Sequence, residues 1–262
     1  MEHYEFTPDQ SDVKVEKTVK PIQTQKQVAS LNMAKVYLWL ALGLLITGLV
    51  SLGLPELFLA LISKGSLATE TAGTIYSALM VVSIIAMIPS MIIISVQAFR
   101  KNIVLDTISY IIYTVAMGVL LGIVFVGFVE PGQGLWTIGL TFLITSASFA
   151  LMGLVGSLMK NSTVGIILPV LFTFLVGCMT LSLVNFFIGS AMIYWIVDFV
   201  LFALMLLTIA IDFRSVRNVA ENLGFENSTN LAIYCAYQLY VDFIWIFLRI
   251  LLYVTIFSSR RN

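Results

Sequence analysis

The chain has 262 residues, 60% of them apolar and only 11% charged, with no net charge and a mean hydropathy of +1.01. Soluble domains carry about 25% charged residues, so this composition excludes an ordinary water-soluble globule; the apolar excess excludes disorder, and the lack of a basic excess argues against nucleic acid as a partner. Two cysteines and one histidine exclude a disulfide framework and a Cys/His zinc site.

Residues 1–34 differ from the rest. They hold five acids (Glu2, Glu5, Asp9, Asp12, Glu16) and four lysines (Lys14, Lys17, Lys20, Lys26) and read as a flexible polar tail. No apolar run follows a short basic start, so the tail does not read as a signal peptide and the first hydrophobic span is expected to act as a signal anchor. Seven apolar stretches follow, at 35–54, 74–97, 107–129, 136–158, 164–187, 191–213 and 231–257. Each approaches the ~20 residues a helix needs to cross the hydrocarbon of a bilayer. The prediction is an all-α, polytopic protein: a seven-helix membrane domain over 35–257 and a short tail at 258–262. No Gly/Ser linker divides it, and no internal repeat is legible.

Basic residues orient the spans. With the N-terminus inside, the inner segments hold Lys14, Lys17, Lys20, Lys26, Lys35, Arg100, Lys101, Lys160, Arg214 and Arg217, whereas the outer loops between spans hold only Lys64. Arg260 and Arg261 oppose this pattern, because seven crossings place them outside. Early helices usually dominate topology, so the last helix is still expected to cross. Aromatics near the span ends (Tyr37, Trp39, Tyr76, Trp136, Tyr194, Trp195) suit an interfacial belt. Pro89 and Pro169 read as packing kinks, and the small residues of span four, from Thr145 to Gly156, permit close helix contact.

Ionisable groups inside a span are costly, by about 2.5–3.5 kcal/mol on insertion scales, and usually mark function. Three acids qualify: Asp198 and Asp212 in span six and Asp242 in span seven. Asp242 is the foremost, near the middle of a span that also carries Tyr234, Tyr237, Gln238, Tyr240 and Arg249. Arg249 lies two turns on, about 10 Å along the axis, so a structural Asp242–Arg249 ion pair is the alternative to a functional role. Asp212 sits at the inner end of its span before Arg214 and Arg217, where an interfacial carboxylate paired with arginine is the plainer reading. Asp198 is fourteen residues earlier, within about 40° of the same helix face, so both acids can line one side of a path.

Several chemistries are excluded. A serine protease within the membrane needs a histidine, and the only one is His3. No lysine follows Lys160 to hold retinal, and no Walker-type phosphate loop appears. An intramembrane aspartyl protease would use two facing aspartates, but Ala210 and Ile211 stand where its glycine motif requires Gly-x-Gly before Asp212. The chain therefore reads as a non-enzyme, with the protease as the last of three readings. The glycosylation patterns at Asn161 and Asn227 fall on inner loops and read as chance, and Cys178 and Cys235 read as core thiols.

Four stretches carry a resemblance: Lys35–Leu44, Thr145–Gly165, Ile211-Asp212-Phe213-Arg214 and Leu239-Tyr240-Val241-Asp242-Phe243-Ile244. On these the chain resembles the Bax inhibitor (transmembrane Bax-inhibitor-motif) family, as a bacterial member. The resemblance implies two three-helix layers around a central, semi-polar seventh helix, and a pH-sensitive calcium leak in which two aspartates share a proton. By position that pair, the pH sensor and calcium-contacting site, is Asp212 and Asp242. The chain departs from the family pattern at Trp245, where asparagine is frequent, and at Arg249, which comes early.

Two carboxylates in a low dielectric repel, and sharing one proton ties their helices together. Losing the proton adds charge, separates spans six and seven and favours a divalent cation. Ca²⁺ takes six to eight oxygens and the pair supplies at most four, so water and other oxygens must complete the shell. Asn185 and Asp198 are further polar candidates, and Arg100 or Lys101 and Arg249 are candidate counter-charges. Calcium enters as a permeant ion, with no resident cofactor. The alternative reading is a regulatory membrane protein whose tail binds a protein partner, since the resemblance also implies cell-death control and, in bacteria, inhibition of a membrane-bound AAA protease. The expected location is the lipid bilayer of a bacterial inner membrane, with the N-terminus cytoplasmic.

Overall fold

The structure is a computed structural model that describes residues 22–66, 68–97, 102–128, 134–222 and 229–259, without the side chains of 22–32, 97, 127–128, 222 and 257–259. Within these residues lie seven helices: α1 (Ile22–Ser63), α2 (Thr69–Gln97), α3 (Ile103–Phe128), α4 (Gly134–Leu158), α5 (Asn161–Ile188), α6 (Ala191–Asn222) and α7 (Thr229–Ser259). All seven are long and apolar enough to cross a membrane. Helix is the form these segments must take, because hydrocarbon offers no partner for an open backbone N–H or C=O.

The helices outrun the expected spans. α1 passes through Pro55 and ends at Ser63, beyond the expected end of the first span at residue 54. A single proline removes only one backbone bond, and a membrane helix tolerates it. The helix stops where a reversal is built: Gly65 adopts φ +69°, its N–H bonds the Ile62 carbonyl at 2.9 Å, and the Ser66 N–H reaches back to Leu61 at 3.1 Å. This double bond around a left-handed glycine is a Schellman stop. At its other end α1 begins at Ile22, so residues 22–34 are helical rather than part of an irregular tail. Residues 1–21 lie outside the described residues. α6 likewise continues past 213 to Asn222.

α1 and α2 pack on α3, and α4 and α5 pack on α6. α7 lies between these two triplets and packs mainly on α1, α3, α4 and α6, with a smaller contact to α2. It is the semi-polar centre of the fold: Ala232, Ile233, Cys235, Leu239, Tyr240, Ile246 and Leu251 are each at most 2% exposed. The outward faces of the other helices carry large apolar side chains, among them Leu49, Ile85, Leu154 and Phe172, as a lipid-facing surface requires. The packing pattern repeats even though no repeat is legible in the sequence. In both triplets the third helix is the hub, and the first and third helices make the main contacts with α7, although α2 also touches it and α5 does not pack on it. Three spans separate equivalent helices, so the second triplet crosses in the opposite sense, which is the arrangement of an inverted repeat.

Small residues and hydroxyls set the helix contacts. A Cβ added at Gly118 would lie 2.7 Å from Val50 Cβ and 3.0 Å from the Thr47 carbonyl, so α1 and α3 meet backbone to backbone there. Beside this contact the Thr47 hydroxyl donates to the Thr114 carbonyl at 2.9 Å and meets the Tyr240 hydroxyl at 2.6 Å, joining α1, α3 and α7. Tyr113 stacks edge-on against Tyr237 at 4.9 Å, and Tyr110 against Tyr240 at 6.2 Å. One side of α7 is therefore held by hydroxyls and tyrosine rings, and the other side meets α4 and α6.

Candidate functional site

On the α6 side, Asp212 and Asp242 come together. Their carboxyl groups are neighbours across the α6–α7 contact. One Asp242 oxygen, Oδ2, is buried and has no hydrogen-bond partner among the described residues. Two carboxyl groups this close hydrogen-bond only when one holds a proton, because ionised carboxylates are acceptors alone. The helices are held in this register by the residues that follow each aspartate. Phe149 of α4 stacks on Phe213 at 4.9 Å and on Phe243 at 5.4 Å, so one ring pins both neighbours of the pair. Beneath it, α4 presents Gly153 and Gly156 to α6. A Cβ at Gly156 would collide with the Ala210 carbonyl and lie 2.9 Å from Phe213 Cβ.

The arginines next to Asp212 do not neutralise it. Arg214 donates from Nε to the Asn161 side-chain oxygen at 2.9 Å, and Arg217 pairs with Glu221 at 2.7 Å while bonding the Ser157 carbonyl at 3.2 Å. Both turn toward α5 and the end of α4, so the plainer reading of Asp212 as an arginine-paired interfacial acid fails. Among the described residues two ion pairs are present, Arg217–Glu221 and Arg249–Asp198, and neither includes Asp212 or Asp242.

Arg249 also departs from expectation. It bonds Asp198 of α6 at 2.8 Å rather than approaching Asp242 on its own helix, and the Tyr253 hydroxyl donates to the other Asp198 oxygen at 2.6 Å. A carboxylate on the neighbouring helix is within direct reach of the guanidinium, whereas Asp242 is two turns away. Asp198 and Asp212 both face α7, as their spacing predicts, but at different levels and with different partners. Asn185 takes no part in this seam. Its side-chain oxygen accepts the Ser190 N–H at 3.0 Å and its carbonyl accepts the Gly189 N–H at 2.7 Å, so it closes the C-terminal turn of α5 around a glycine at φ +69°. Arg100 and Lys101, the proposed counter-charges, lie outside the described residues.

The sequence reading missed Asp106. It sits in the first turn of α3, fully buried, with Asn230 of α7 as its neighbour. Neither carboxylate oxygen has a hydrogen bond of good geometry among the described residues. The positive end of α3 favours a carboxylate in that turn. The signal was present, since Asp106 directly precedes a predicted span, but a charge at a span end normally reaches the headgroups and so does not stand out in the sequence.

No group of three or more His, Cys, Asp or Glu side chains suited to a resident metal occurs among the described residues. What the fold and the aspartate pair define is a polytopic α-helical membrane protein in which a carboxyl group of the central helix α7 faces one of the neighbouring α6. Residues 30–260 match the family model described as inhibitor of apoptosis-promoting Bax1, and the chain belongs to that Bax inhibitor family. It is 28% identical over 232 residues to the inner membrane protein YbhL of Escherichia coli K12, covering 87% of this chain and 92% of that protein. It is 27% identical over 161 residues to an uncharacterized membrane protein of Streptococcus pyogenes serotype M1, covering 62% of this chain and 68% of the relative. No solved structure gives a significant match.

Proposed function

We propose that this chain is a non-enzymatic, pH-sensitive calcium leak of a bacterial inner membrane, gated by the proton that Asp212 and Asp242 share. The observation that supports this most is the pair itself: two carboxyl groups facing across α6 and the central α7, without an arginine or lysine partner among the described residues. With one proton between them the pair bears a single negative charge and a hydrogen bond that ties α6 to α7. Without it, two like charges face each other in a low dielectric, repel, and offer up to four hard oxygens to a divalent cation. Opening the α6–α7 contact and attracting Ca²⁺ are then one event, so flux rises as pH rises. Calcium flux into liposomes carrying the purified protein tests this. Asp212→Asn with Asp242→Asn removes both charges, and flux and pH response should fall together to the level of empty liposomes. Undiminished flux in the double variant contradicts the reading.

A second reading rests on the N-terminal side. α1 begins at Ile22, ahead of its spanning part Met33–Ser63, and continues the helix toward the polar tail. Such an extension suits presentation to a protein partner, and the family is described as an inhibitor of a protein factor. Deleting residues 1–30 separates the two: a leak survives the deletion, whereas tail-mediated binding is lost.

A further inference from the structure

We propose that Asp198, Arg249 and Tyr253 form the closure of the α6–α7 seam at the level beyond the aspartate pair, with Arg249 as the barrier that a cation must displace. The proposal deepens the calcium reading and rests on it. α6 and α7 are antiparallel neighbours, so the two acids of α6 meet α7 at successive levels: Asp212 against Asp242, and Asp198 against Arg249 and Tyr253. Fourteen residues separate the two acids by about 21 Å along α6, whereas Arg249 and Tyr253 lie about 10 and 17 Å beyond Asp242 along α7.

At the second level every charge is consumed. Both Asp198 oxygens are engaged, at 2.8 and 2.6 Å, and its side chain is only 6% exposed. A cation moving along the carboxylate face of α6 therefore meets a guanidinium instead of a free acid. The pair is buried on one side only. Arg249 is 26% exposed and lines a cleft of about 340 Å³ with Val124, Met205, Trp245, Leu248 and Leu252. The cleft opens where α3 and α6 flank α7 without packing on each other. It gives the Arg249 side chain somewhere to go: a rotation into it releases Asp198, which then becomes the next carboxylate along the path. A buried ion pair costs desolvation that hydrophobic residues of the same volume would avoid, so stability alone is a weak reason for its presence.

The test is calcium flux into liposomes at equal protein density for wild type, Arg249→Gln, the double variant Asp198→Asn with Arg249→Gln, and the reversed pair Asp198→Arg with Arg249→Asp. A closure predicts about tenfold higher flux in Arg249→Gln and in the Asp198→Asn/Arg249→Gln double variant, the effect of removing roughly 1.4 kcal/mol of barrier, and a return toward wild type in the reversed pair. Tyr253→Phe loosens Asp198 without stranding a charge and should raise flux by a smaller factor, which keeps the test open if Arg249→Gln does not fold. A purely structural tether predicts lower stability in these variants with flux unchanged or reduced, and that result overturns the proposal. If wild type carries calcium and the variants match it, the closure alone fails. If wild type carries none, the calcium reading fails with it.

Discussion

Gly156→Ala probes the contact that places Asp212. The added methyl would collide with the Ala210 carbonyl and sit 2.9 Å from Phe213 Cβ, both on α6 and on either side of the aspartate. Neither neighbour is a flexible side-chain end, so α4 and α6 must move apart. Overpacking of this kind costs about 1–3 kcal/mol, while alanine gains ~1 kcal/mol of helix propensity over glycine. Gly177→Ala supplies the reference, because a Cβ there meets nothing within 4 Å and the propensity gain stands alone. The two variants should therefore differ by about 1–3 kcal/mol, with Gly156→Ala the less stable. For a chain of this size ~1 kcal/mol shifts Tm by about 2–4 °C, which thermal unfolding in detergent resolves. Because the displaced residues bracket Asp212, the pH response of calcium flux should weaken in Gly156→Ala alone. A Gly156→Ala protein that melts at or above Gly177→Ala would refute the claim that this backbone contact sets the register of α6.

Tyr240→Phe removes the hydroxyl that meets Thr47 at 2.6 Å and should lower stability by about 0.6–1.5 kcal/mol in the same melting assay, with the pH response of flux retained. Phe149→Ala removes the ring that touches both Phe213 and Phe243 and should cost about 3–5 kcal/mol, with the aspartate pair loosened and the flux less dependent on pH.

The seven helices were legible because length and hydropathy alone decide which segments can cross hydrocarbon. Asp242 was legible for the same reason, since an acid in the centre of an apolar run has no route to water. What the sequence concealed depends on how helices turn toward one another. The spacing of Asp242 and Arg249 allows an ion pair on α7, yet the guanidinium meets Asp198 on α6, and no one-dimensional pattern reports that rotation. Asp212 stood next to two arginines in sequence, but Asn161, Ser157 and Glu221 hold both of them, and this became visible only when α4, α5 and α6 were assembled. The first span was expected to end at residue 54, whereas the membrane helix continues through Pro55 to Ser63. The repeated packing of the two triplets left no trace, because lipid-facing and core positions alike accept many apolar side chains.

The central claim is that a proton shared by Asp212 and Asp242 controls calcium passage. Its most direct test is calcium entry into liposomes containing wild type or Asp242→Asn, at acidic and at neutral pH. The account predicts entry that rises from acidic to neutral pH in wild type and loses that dependence in Asp242→Asn. Entry that responds to pH equally in both proteins, or no entry above empty liposomes at either pH, would contradict it.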